Sequence, residues 1–158
     1  MAFQIPPHLI IKETGHWIVN HRVGSHLPGY LMVGSRMETT NLFDLPPAAL
    51  AELGPLLALA QQALLDLFRP EQLYLGRYGH MTGFSIHFHV IPIQAWVREA
   101  FEADSRYRSV CTDGAGLTHY IWREFCESET PPRVYGPSVT EVVDRLRPRF
   151  AAAPIDAI

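Results

Sequence analysis

Cysteine is scarce in this chain. Cys111 and Cys126 are its only two, and no paired CxxC spacing is present. Reduced, structural thiols in a cytoplasmic protein are the expectation. A strong charge of either sign is also missing. The formal net charge is −3, so no polybasic surface invites nucleic acid or a membrane. The longest apolar stretches are broken by Pro, Gln or charge, so no transmembrane span is expected. The opening residues, Met1 to Pro7, lack a basic region followed by a long apolar core and do not read as a signal peptide. There is no internal repeat, low-complexity tract or dividing linker. What remains is 158 residues, 47% hydrophobic and 18% charged. That composition describes one soluble globular domain over 1–158, with enough chain to bury a core.

The order of elements follows from pattern and punctuation. Ile10 to Lys12 begins a short strand and His16 to His21 a second. Val23 to Gly29 is a loop by its Gly and Pro content, and Tyr30 to Ser35 reads as a buried strand. A long apolar-rich helix runs from about Asp44 to Phe68. Asp44 or a neighbour is expected to cap it, Pro46 or Pro47 suits its first turn, and Pro55 is expected to kink or restart it. Gln72 to Tyr78 is a strand. Thr118 to Glu127 has helical spacing, and Ser138-Val139-Thr140-Glu141 is a capping box before a helix reaching about Arg147. The expected class is α+β, a mainly antiparallel sheet with helices packed on one face.

The chemistry concentrates in the run Gly83-Phe84-Ser85-Ile86-His87-Phe88-His89-Val90-Ile91-Pro92-Ile93. With period two, Phe84, Ile86, Phe88 and Val90 share one strand face. Ser85, His87, His89 and Ile91 share the other. Two imidazoles thus point the same way from a rigid element. Imidazole serves nucleophilic and proton-transfer chemistry near neutral pH, and it is the commonest metal ligand. A metal would need a third ligand, and His80, His119 or His26 could supply one only through the fold. Attack on phosphorus needs a strand-borne histidine beside a loop whose hydroxyl and amides hold phosphate oxygens. The loop Gly79-His80-Met81-Thr82-Gly83 suits that use. Trp96, Val97, Phe101 and the helix bearing Trp122 are read as core or interface. His119, Tyr120 and Trp122 are possible pocket residues.

Ser85-Ile86-His87-Phe88-His89-Val90-Ile91-Pro92 resembles the histidine triad motif, in which three histidines alternate with apolar residues. The branch that cleaves dinucleoside polyphosphates commonly continues with Pro, as Pro92 does. The likeness extends through Trp17 to Asn20, Leu27-Pro28-Gly29, Tyr30 to Val33, Arg36, Leu42-Phe43 and the helix opened by Asp44-Leu45. It covers roughly residues 8 to 95 and leaves 96–158 as a helical extension.

The resemblance implies a nucleotide hydrolase or transferase, acting on a phosphoanhydride or phosphoramidate of a nucleoside monophosphate. His87 takes the place of the nucleophile that forms a nucleotidyl-histidine, and His89 lies beside the reacting phosphate. Thr82, Gly83, Arg77 and Ser85 position the phosphate, and Asn20 contacts the ribose. A homodimer and a dinucleoside polyphosphate partner are implied. No cofactor is required, although Mg²⁺ accompanies many polyphosphates. Two positions depart from the pattern. Ser85 stands where the first histidine belongs, and Tyr30 replaces a histidine that commonly follows Pro-Gly. A non-catalytic nucleotide-binding module is therefore the alternative to the enzyme, with a metal-dependent enzyme behind it.

Overall fold

A computed structural model of the chain describes residues 4–78 and 83–153. Five strands form one antiparallel sheet in the order β1-β2-β3-β5-β4. They are β1 Ile10–Glu13, β2 Trp17–His21, β3 Leu31–Ser35, β4 Gln72–Gly76 and β5 His87–Ile93. Four α-helices complete it: α1 Pro47–Phe68, α2 Ala95–Ala103, α3 Gly114–Trp122 and α4 Val139–Ala152.

The alternation in the histidine run decides how the layers stack. Ile86, Phe88 and Val90 join Trp17, Val19, Leu31 and Val33 in a core covered by α1 and α4. Ile91 and Ile93 enter a second core with Tyr30, under α2 and α3. The α+β class and the antiparallel sheet stand as expected. The helices, however, are shared between both faces. Helix α2 supplies Val97 and Phe101 to the second core, which explains why a segment without strong helical signals is nevertheless ordered as a helix. Tertiary burial decides it.

Several boundaries differ from the expected ones for local reasons. Pro55 lies inside a continuous α1. Its ring removes one amide donor, and the carbonyl four residues earlier belongs to exposed Ala51, where water can serve it. Asp44 does not cap α1. It sits in a 3₁₀ turn and accepts hydrogen bonds from Thr39 and Asn41, while Pro46 and Pro47 open the helix. By length and composition α1 could cross a membrane, but its buried residues Ala49, Leu56, Ala60, Ala63 and Leu64 pack on the sheet.

Helix α3 begins earlier than its spacing suggested, because Asp113 caps it by accepting the Gly116 amide. It runs on into a π-helical turn over Arg123–Glu127. The Ser138–Glu141 capping box is present, and α4 continues past Arg147 through Pro148 to Ala152.

Gly116 fixes where α3 sits. A Cβ there would lie 2.0 Å from the Cys111 carbonyl oxygen. Gly116→Ala is expected to destabilise the protein by about 1–3 kcal/mol through forced displacement of backbone. Gly54 lies within α1 with nothing within 4 Å of an added Cβ. Gly54→Ala is therefore expected to stabilise by about 0.5–1 kcal/mol. Urea unfolding of the two variants should give shifts of opposite sign.

Candidate active site

His87 and His89 project from the same face of β5, with ring centroids 5.0 Å apart and planes near perpendicular. Each stands opposite a glycine across one neighbouring strand: Gly34 of β3 for His87, Gly76 of β4 for His89. At Gly34 an added Cβ would meet only the His87 Cβ, at 3.7 Å. At Gly76 the room is taken by Tyr78. An added Cβ would come within 2.8 Å of the Tyr78 hydroxyl, so only glycine lets Tyr78 fold back. The Tyr78 ring then packs 5.1 Å from His89 and 4.9 Å from Trp122.

The His87 Nδ1 lies 2.8 Å from the Ser85 carbonyl oxygen. A carbonyl only accepts, so this contact assigns the proton to Nδ1 and the ring lone pair to Nε2. Ser85 therefore serves His87 through its backbone. His87 is half-buried, and His89 is 6% exposed.

His89 is oriented by a directed chain of hydrogen bonds. The Trp122 indole N–H donates to the Tyr30 hydroxyl at 2.7 Å. Indole has no acceptor role, so the Tyr30 oxygen receives that bond; the phenol is fully buried and its own proton needs an acceptor, which His89 Nδ1 supplies 2.9 Å away. His89 then carries its proton on Nε2. Burial first, and then the proximity of His87 and Arg22, pushes the His89 imidazole down to about 3. It is neutral across physiological pH. Burial pushes the Tyr30 phenol well above its ordinary value, so it remains a donor. The Arg22 guanidinium lies over the Tyr30 ring at 5.4 Å.

The other expected site residues are spread more widely. Asn20 shares the cross-strand row of His89, with Met32 between them. Its side-chain amide donates to the His21 carbonyl at 2.7 Å. The Arg77 guanidinium is exposed and donates to the Thr40 carbonyl. Gly83 has φ +93°, a left-handed conformation suited to glycine at the turn into β5. Thr82, like Gly79, His80 and Met81, lies outside the described residues.

Among the described residues, no three His, Cys, Asp or Glu side chains gather closely enough to hold a metal ion. Sequence reasoning missed Tyr78 and Arg22 altogether, and gave Trp122 to packing by default. The bond from Trp122 to Tyr30 spans 92 residues, and no local pattern announces it.

No family model matches this sequence. Among curated proteins there is no significant match either. Solved structures do match. A zinc-bound histidine triad family protein from Mycobacterium smegmatis superposes with a TM-score of 0.56 at 18% identity, over 92% of this chain and 86% of that one. The chain has the histidine triad fold. A Hit-like protein involved in cell-cycle regulation from Bartonella henselae gives 0.54 at 15% identity, over 91% and 88% of the two chains. The diadenosine triphosphate hydrolase of Plasmodium falciparum gives 0.53 at 16% identity, over 59% of this chain and 66% of that one. The two broad superpositions take in most of the C-terminal helical region together with the sheet.

The buried neutral histidine has a consequence for stability. In the unfolded chain His89 protonates near its ordinary value of 6.5, but in the folded protein only near 3. Between those values the unfolded state binds the extra proton. Stability is therefore full above about pH 6.5 and falls as pH drops toward 3. Buried His21, also pushed down, adds to the same slope. His89→Gln, neutral at every pH, should flatten the decline. Chemical denaturation at pH 7 and pH 5 measures it.

Proposed function

We propose that this protein hydrolyses or transfers a nucleoside monophosphate through a covalent intermediate on His87. The substrate class is a phosphoanhydride or phosphoramidate of that nucleotide, such as a dinucleoside polyphosphate. The observation that carries the reading is the pair of Nδ1 contacts, His87 to the Ser85 carbonyl and His89 to the Tyr30 hydroxyl, from which opposite tautomers follow. His87 donates from Nδ1 to the Ser85 carbonyl and keeps its lone pair on Nε2, while His89, 5.0 Å away, carries its proton on Nε2. One ring is set to attack and the other to donate a hydrogen bond.

In the first step the His87 Nε2 lone pair forms a bond to phosphorus. The phosphorus–oxygen or phosphorus–nitrogen bond to the leaving group breaks, and its electron pair departs with that group. An amine leaving group takes a proton from solvent. In the second step water attacks phosphorus, the phosphorus–nitrogen bond breaks, and the water proton passes to His87 or solvent. His89 is too weak a base to shuttle protons near pH 7. It serves by donating its Nε2–H to charge that builds on phosphate oxygens. Gly83, Thr82 and Arg77 are assigned to phosphate, Asn20 to the ribose, and Tyr30 to His89. The reaction needs no resident cofactor, although a polyphosphate would bring its own Mg²⁺.

Two departures from the triad pattern now have physical content. The Ser85 position meets His87 through a carbonyl, which any residue supplies. Tyr30 meets His89 through a hydroxyl held by Trp122. Both arrangements support retained orientation. The histidine triad protein from Mycobacterium smegmatis and the diadenosine triphosphate hydrolase share the fold, which favours nucleotide chemistry over other classes. The working unit is proposed to be a homodimer, as the resemblance of the histidine run implies, and its place the cytoplasm.

The decisive experiment mixes the protein rapidly with diadenosine tetraphosphate, or with an adenosine phosphoramidate, and weighs it by mass spectrometry without acid. An adenylyl adduct and released AMP are expected, and both should vanish in His87→Ala. Nucleotide binding with neither adduct nor AMP would instead favour a binding module. Tyr30→Phe should lower kcat by tenfold to a hundredfold, on the order expected for a misoriented catalytic group. Tyr30→His, which can still bond to His89, should recover part of that loss.

A further inference from the structure

The histidine pair has no charge to set against a phosphate. His87 attacks only as a neutral ring, and His89, pushed down to about 3, is neutral as well. Arg77, expected at the phosphate, is exposed and directs its guanidinium to the Thr40 carbonyl. Yet a phosphate ester is anionic, and displacement at phosphorus spreads charge over equatorial oxygens that the protein must stabilise. Arg22 stands where that charge is needed.

Period two places it there. Trp17 and Val19 of β2 enter the core under α1 and α4, so Ile18 and Asn20 lie on the opposite face of the strand. Arg22 keeps the alternation just past the end of β2, because its amide still donates to the Tyr30 carbonyl at 2.7 Å. It therefore shares the face of Asn20, about 7 Å further along the chain. Its guanidinium stands 5.4 Å over the Tyr30 ring, and the hydroxyl of that ring meets His89. Its charge is also one of the causes that keep His89 unprotonated.

Two observations separate Arg22 from an ordinary surface cation. The first is its frame. The Arg22 carbonyl accepts from the Ser25 amide at 3.2 Å. The ring of buried His21 lies 3.1 Å from that carbonyl and 3.0 Å from the Leu27 carbonyl, so it bridges the start and the end of the loop. The His26 amide donates to the Phe125 carbonyl at 2.8 Å and ties the same loop to the π-helical turn. A half-buried guanidinium on so fixed a backbone loses little freedom when it binds. The second is the lack of a counter-charge. Arg36, Arg98, Arg106, Arg147 and Arg149 each meet a carboxylate. Among the described residues none lies within ion-pair reach of Arg22. Its contact over the Tyr30 ring does not consume the N–H donors, which lie in the guanidinium plane.

We propose that Arg22 is the cation that binds the reacting phosphate and holds its non-bridging oxygens while His87 attacks. The inference rests on the nucleotide reading above and deepens it. The planar fork of a guanidinium matches two oxygens of one phosphate. A side chain that only covered Tyr30 would need length and no charge.

The test measures the binding of AMP and of adenosine to the full chain by calorimetry at pH 7. The readout is the ratio of the two affinities, which isolates the phosphate. Arg22→Met keeps an apolar stem over Tyr30 and removes the guanidinium. It should weaken AMP by roughly tenfold to a hundredfold, as expected when a charged hydrogen-bonded contact is lost, and leave adenosine unchanged. If Arg22→Met does not fold, Arg22→Gln is read in its place with the same expectation. A residue that merely supports Tyr30 would weaken both ligands equally or neither. Either of those results, with AMP bound by the unmodified protein, overturns the proposal and leaves the nucleotide reading standing. Failure of AMP to bind the unmodified protein overturns both. No turnover is needed, so the proposal is decided even in a protein that binds nucleotide without cleaving it.

Discussion

The hydrogen bond between the Tyr30 hydroxyl and His89 Nδ1 ties the two halves of the chain to one centre. Tyr30 precedes β3, His89 stands in β5, and the hydroxyl is itself held by Trp122 at the end of α3. Every member of this chain is at least half-buried, so an unmade bond would leave a desolvated polar atom. Burial thereby enforces direction. Indole can only donate, tyrosine has one proton to pass on, and the imidazole is left with its proton on the remaining nitrogen. A tautomer that water would leave mixed is set by packing.

That dependence makes the C-terminal third structural for the site rather than an appendage. Glu124, in the π-helical turn that follows Trp122, is buried and accepts from Tyr107 at 2.6 Å and from Arg106 at 2.8 Å. Arg106 is held in turn by Asp104. The turn is therefore anchored by charge-assisted bonds on one side while Trp122 reaches Tyr30 on the other. A helix end that carries a functional donor needs such bracing, because displacement of one ångström would open the indole–hydroxyl contact. The π-helical turn changes the helical period immediately after Trp122, which lets Glu124 and Phe125 both be buried among their partners.

The sheet and its histidine pair were legible because they rest on period two. Phe88 and Val90 went to one core, Ile91 to the other, and the imidazoles to one face, as the alternation required. The Ser138 capping box was legible for the same reason, since it is a local hydrogen-bond pattern. Other features depend on which side of an element meets the core. Pro55 was expected to kink or restart α1; the helix does not restart there, and the carbonyl the proline orphans is on the solvent side. Helix α2 draws its stability from Val97 and Phe101 in a core assembled by other segments. The helices were expected on one face because nothing in residues 95–127 states which face they will meet.

The two departures from the histidine triad pattern show the same limit at finer scale. Read as letters, Ser85 and Tyr30 stand where the resembled motif leads one to expect histidine. In three dimensions each position has a different kind of contact to make. Position 85 reaches His87 with its backbone oxygen, so its side chain is free to vary without moving the His87 proton. Position 30 reaches His89 with its side chain, and there the substitution matters. A phenol raised in pKa by burial holds its proton at every physiological pH, whereas an imidazole in that place could titrate. Tyrosine with a tryptophan behind it thus gives His89 a partner of constant charge. The exchange trades a pH-sensitive support for an insensitive one, and it depends on α3 delivering Trp122 to that hydroxyl.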